Sequence, residues 1–123
     1  MSIPQSGGGP IEHHSQLAEY MAEGCKPKSD WKIGTEHEKF GYCKDSLLPI
    51  PYEGERSVRA VLEGLQQKHG WNPVFEGENI VGLEKDGANV SLEPGGQLEL
   101  SGAPLDTIHQ TCDEVNIHLK EVK

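Results

Sequence analysis

Apolar residues recur along the chain in two rhythms, and the change from one to the other divides it into elements. Over residues 15–23, Leu17, Tyr20 and Met21 fall on one helical face, with Ser15 placed to cap the start and Gly24 to stop the end. Residues 31–42 alternate instead, so an extended strand puts Trp31, Ile33, Thr35 and His37 on one side and Glu36, Glu38 and Phe40 on the other. Pro49, Pro51 and Gly54 mark a loop, after which Val58, Val61, Leu62 and Leu65 return to helical spacing up to a His69-Gly70 stop.

Beyond Asn72 the pattern predicts short strands at residues 74–75, 80–83, 89–93 and 97–100, with turns at residues 84–87 and 94–96. From Leu105 the apolar positions Leu105, Ile108, Cys112, Val115, Leu119 and Val122 predict a last helix with Pro104 in its first turn. The whole reads as an α+β fold, an antiparallel sheet meander flanked by helices. Residues 1–12, with a glycine run and two prolines, read as a flexible leader, and residues 13–123 as the folded part. The last periodicity is unbroken at Val122 and meets no Gly, Asn or Pro, so the helix is expected to be interrupted at Lys123 and the polypeptide to continue.

Composition narrows the function. A formal charge of −9 over 123 residues and a pI near 5.0 argue against nucleic acid as a partner. No run approaches the roughly 18 apolar residues of a membrane span, and residues 1–28 lack the basic and apolar blocks of a secretory signal, so a soluble, cytoplasmic protein without a membrane partner is expected. Cys25, Cys43 and Cys112 are odd in number, far apart and without CxxC spacing, which argues against a disulfide scaffold or zinc ribbon. The acids are clustered: nine (Glu76, Glu78, Glu84, Asp86, Glu93, Glu99, Asp106, Asp113, Glu114) stand between His69 and Leu119 against one base, Lys85. Such crowding is unfavourable unless water or a cation relieves it.

Two segments concentrate that tension. If Pro94 to Gly96 form a three-residue hairpin loop, Glu93 faces Gln97 and Ser91 faces Glu99; Ser91, Glu93, Gln97 and Glu99 then share one face while Val90, Leu92, Leu98 and Leu100 share the other. In Gly34-Thr-Glu-His-Glu-Lys-Phe-Gly41, Glu36 and Glu38 share a strand face about 7 Å apart. Should this strand join the hairpin, four carboxylates converge in a hard-oxygen environment suited to Mg²⁺ or Mn²⁺ rather than Zn²⁺, the surroundings of a phosphoryl-transfer site. The alternative at this level is a half-solvated sheet whose acids only face water. The histidines lack ligand spacing, Gly95-Gly96 reads as a turn, and no nucleophile or catalytic base stands out.

The segments 33–41, 80–83 and 90–104, the last followed by His109-Gln-Thr-Cys112, resemble the N-terminal part of glutamate-cysteine ligase of the plant and proteobacterial type, over residues 31–123. The resemblance implies a glutamine-synthetase-like carboxylate-amine ligase fold and an enzyme of glutathione biosynthesis. In that reaction ATP phosphorylates the glutamate γ-carboxylate and the cysteine amine attacks the acyl phosphate. It implies glutamate, cysteine and ATP as substrates and Glu36, Glu38, Glu93 and Glu99 as Mg²⁺ ligands around the ATP phosphates. Most nucleotide- and substrate-binding elements are then expected in a C-terminal part of the same polypeptide, so this chain alone is expected to be inactive. Cys112 matches a cysteine of a family in which some members regulate themselves by disulfides, and its role stays open. Two other readings remain: a related carboxylate-amine ligase with another amine acceptor, and a non-catalytic acidic module holding Ca²⁺ or a basic partner, although no EF-hand spacing is present.

Overall fold

The computed structural model describes residues 8–123. Residues 1–7 of the expected leader lie outside the described residues, and residues 8–12 are exposed and without regular structure. The first helix, α1 (His14–Glu23), takes His13 rather than the expected Ser15 as its cap, and the Gln16 side chain accepts from the His13 N–H at 2.9 Å. No α1 residue is buried, so its apolar face, Leu17, Tyr20 and Met21, is open.

Five strands form one antiparallel sheet: β1 (Glu36–Phe40), β2 (Asn72–Glu76), β3 (Asn79–Lys85), β4 (Ala88–Glu93) and β5 (Gln97–Ser101), in the order β1-β5-β4-β3-β2. β2 to β5 are the expected meander. The β3–β4 reversal is tight because Asp86 and Gly87 both take positive φ, 50° and 84°, which matches the twist of the flanking strands. β1 then closes the far side of β5.

The strand expected over residues 31–42 is confined to β1, and the limit comes from its partner. β5 is flanked at one end by the Pro94–Gly96 turn and at the other by Gly102-Ala-Pro104, so pairing runs only from Phe40↔Gln97 to Glu36↔Ser101. Before β1, Ile33 keeps a single bridge, exchanging backbone hydrogen bonds with Leu105 at 2.7 and 2.8 Å.

Helix α2 (Val58–His69) begins at Ser57, whose hydroxyl accepts from the Ala60 N–H at 3.1 Å, and ends at Gly70 in the left-handed region, φ 71°. It buries Val58, Leu62 and Leu65 against Trp71, Ile80, Leu83, Ala88, Val90, Leu100 and Ala103. Helix α3 (Ile108–Glu121) starts later than expected, because Thr107 and Gln110 form its capping box and Leu105 is taken by the bridge to Ile33. Its inward row also differs from the predicted stripe: Thr111 and His118 are buried, whereas Ile108 and Cys112 are exposed.

Candidate functional site

With α2 and the core on one face of the sheet, alternation sends the other set of side chains to the opposite face. The hairpin register is Glu93↔Gln97 and Ser91↔Glu99, and β1 adds Glu38↔Glu99 and Glu36↔Ser101. Glu36, Glu38, Glu93 and Glu99 therefore share one face, as the alternation of both segments requires. Glu38 and Glu99 are direct cross-strand neighbours, which places their Cβ atoms about 5 Å apart, while Glu36 and Glu93 lie diagonal to Glu99 at about 7–8 Å. His37 and Lys39 point the other way, where the Lys39 ammonium donates to the His37 carbonyl at 2.9 Å and burial lowers its pKa.

The four positions are not equivalent. Glu99 is 5% exposed and accepts from the Ser101 hydroxyl at 2.6 Å. Glu93 is half-buried and accepts from the Ser91 hydroxyl at 2.8 Å. Glu36 and Glu38, on the rim strand, are exposed.

Register also shows what the sequence reading missed. Ser101 lies beside Glu99, and Glu84 and Asn89 continue the same face toward β2. The signal for Ser101 was present in the Glu-x-Ser spacing at 99–101, which a period of two puts on one side.

The electrostatics of the face favour a cation. Glu38 and Glu99 are like charges directly opposite each other, an unfavourable arrangement in a sheet. Lys39 and Lys85 are the lysines within the described strands, and both occupy register positions of the opposite face. Asn89 Oδ1, on the carboxylate face, is buried without a hydrogen-bond partner. Buried oxygen acceptors, unbalanced carboxylates and no thiolate or imidazole make a donor set that fits a hard cation. Among the described residues no three His, Cys, Asp or Glu side chains converge on one point. The fit is thus to an ion held by one or two carboxylates that takes its other oxygens from water and phosphate, which is how Mg²⁺ is commonly bound.

Comparison with known proteins bears on this chemistry. The model of the family described as Glutamate-cysteine ligase family 2 (GCS2) matches residues 32–123. Glutamate--cysteine ligase A, chloroplastic, of Oryza sativa subsp. japonica is 53% identical over 107 residues, which is 87% of this chain and 21% of the relative. The chloroplastic glutamate--cysteine ligases of Medicago truncatula and Arabidopsis thaliana are 54% and 50% identical over the same share of this chain and 20% of their own. The chain spans about one fifth of the length of these relatives. The plant relatives are chloroplastic, which overturns the expected cytoplasmic location. The composition of residues 1–28 does not separate cytoplasm from plastid. Among the described residues no helix is long and apolar enough to cross a membrane.

Proposed function

Because the chain belongs to glutamate-cysteine ligase family 2, we propose that the whole protein joins the glutamate γ-carboxylate to the cysteine amine through a γ-glutamyl phosphate formed from ATP, the first step of glutathione synthesis. The plastid is the compartment that its relatives' names supply. Residues 13–123 are the N-terminal part of the catalytic domain, and the rest of the polypeptide contributes the remaining substrate contacts.

The observation that carries the reading is the single sheet face shared by Glu36, Glu38, Glu93 and Glu99 in a chain of this family. These four, one or two to an ion, would hold Mg²⁺, or Mn²⁺ in its place, at the ATP phosphates. The ion supplies charge neutralisation for phosphoryl transfer. The protein's part is positional: a rigid antiparallel hairpin sets Glu93 and Glu99 at fixed spacing, and β1 brings Glu36 and Glu38 alongside.

Single Glu→Gln variants of the whole protein test this. Each removes one like charge, so each is expected to weaken Mg²⁺ binding, measured by calorimetry, while the metal-free protein melts at the same or a higher temperature. The Glu99 variant should lose the most, about tenfold or more, because its carboxylate is already desolvated. If all four variants bind Mg²⁺ like the unmodified protein, the metal assignment is wrong. Cysteine-dependent release of ADP, absent with other amines, separates this activity from that of a ligase with another acceptor.

A further inference from the structure

Glu93 and Glu99 differ from Glu36 and Glu38 in one respect that burial alone does not explain: each has a dedicated hydroxyl. Ser91 stands directly across from Glu99, yet its Oγ donates along its own strand to Glu93 Oε1 at 2.8 Å. Glu99 Oε1 is served by Ser101 at 2.6 Å. Both serines are almost completely buried. The two pairs are near mirror images across the hairpin, Ser91-x-Glu93 entering the Pro94–Gly96 turn and Glu99-x-Ser101 leaving it.

We infer that Ser91 and Ser101 are positioning residues for the metal-binding carboxylates, orienting Glu93 and Glu99 before a cation arrives. This rests on the proposed Mg²⁺ site. A hydroxyl has one hydrogen to give, and a carboxylate offers about four lone-pair sites on two oxygens, so a bond to Oε1 steers the side chain and leaves capacity to coordinate. Ordering a glutamate side chain costs rotamer entropy, which the serine bond meets in the folded protein rather than at binding. Glu36 and Glu38, exposed on the rim, are the adaptable half of the site and follow the ligand.

The distinction can be read through the choice of ion. Mg²⁺ demands near-octahedral geometry with short bonds, whereas Ca²⁺ accepts irregular shells. Loss of a positioning hydroxyl should therefore harm Mg²⁺ binding more than Ca²⁺ binding, while general loosening of the sheet would harm both alike. In the whole protein, calorimetric titration with each ion is expected to show Ser101→Ala binding Mg²⁺ about tenfold or more weakly, with a smaller change for Ca²⁺. Ser101→Thr, which keeps the hydroxyl and suits a strand, should restore most of the Mg²⁺ affinity. Ser91→Ala acts on the other carboxylate, should shift the ratio in the same direction, and serves if Ser101→Ala does not fold. Normal Mg²⁺ affinity in both alanine variants, beside a loss in Glu99→Gln, would overturn the inference and leave the metal site standing. Equal losses for the two ions would overturn it in favour of a structural role, and normal Mg²⁺ binding in the glutamate variants would remove the site itself.

Discussion

Helices α2 and α3 announce themselves in the sequence with similar regularity, yet they finish differently. The wholly covered positions of α2 are Val58, Leu62 and Leu65, three of the four its periodicity selects, with Val61 half-buried. Those of α3 are Thr111 and His118, while Ile108 and Ile117 are 58% and 55% exposed. Periodicity identifies a helix wherever apolar residues recur, but it chooses the inward row only when one stripe is apolar. On α3 two rows compete, and the row that turns inward carries Thr111 and His118. The lesson is that α2 is sealed by contacts within the described residues, whereas α3 keeps apolar surface on its outer side.

The largest effect that separates them should come from Leu62→Ala, which opens a cavity under the sheet and is expected to lower stability by about 2–5 kcal/mol in equilibrium urea unfolding. Val115→Ala, at a half-buried position of α3, should lose clearly less. Equal losses would show that the two helices are equally integral.

His118 sharpens the contrast. It is 2% exposed, neither ring nitrogen has a hydrogen-bond partner, and burial together with the nearby Lys39 and His37 lowers its pKa from 6.5 to about 4. The unfolded chain therefore binds a proton between pH 6.5 and about 4 that the folded chain refuses. The stability associated with neutral His118 is complete above pH 6.5 and is lost as the pH falls through that window, by no more than about 3 kcal/mol. His118→Leu should flatten the stability-pH curve there and leave stability near pH 7 unchanged or raised; an unchanged slope would mean the imidazole is not desolvated.

How much of this was legible beforehand follows from the same physics. The hairpin register, and with it the placement of Ser91, Glu93, Gln97 and Glu99, could be read because a three-residue turn and strict alternation leave few alternatives. The extent of β1 could not, because it is set by β5, more than fifty residues away, rather than by its own residues. The burial of His118 was invisible for a related reason: a histidine in a helix shows its neighbours only after the sheet is assembled. Ser101 carried a readable spacing, but without the pairing to β1 nothing marked it as more than a strand residue.

The smallest test concerns the caps. Ser57 is buried and also donates to the Gly54 carbonyl at 2.7 Å, so Ser57→Ala should cost about 1–2 kcal/mol. Thr107 is exposed and its loss should cost about 1 kcal/mol or less in the same unfolding measurement. A larger loss at Thr107 would reverse the ranking of the two helices.

At the exit of β5, Glu114 of α3 accepts from the Ala103 N–H at 2.8 Å, and a Cβ added to Gly102 would stand 2.2 Å from Glu114 Oε2 and 3.1 Å from the Thr35 carbonyl. Positions 102 and 114 are therefore epistatic. A side chain at 102 has to push the Glu114 carboxylate aside, at the expense of the Ala103 bond, and stays tight against the Thr35 carbonyl, so its cost depends on which residue stands at 114.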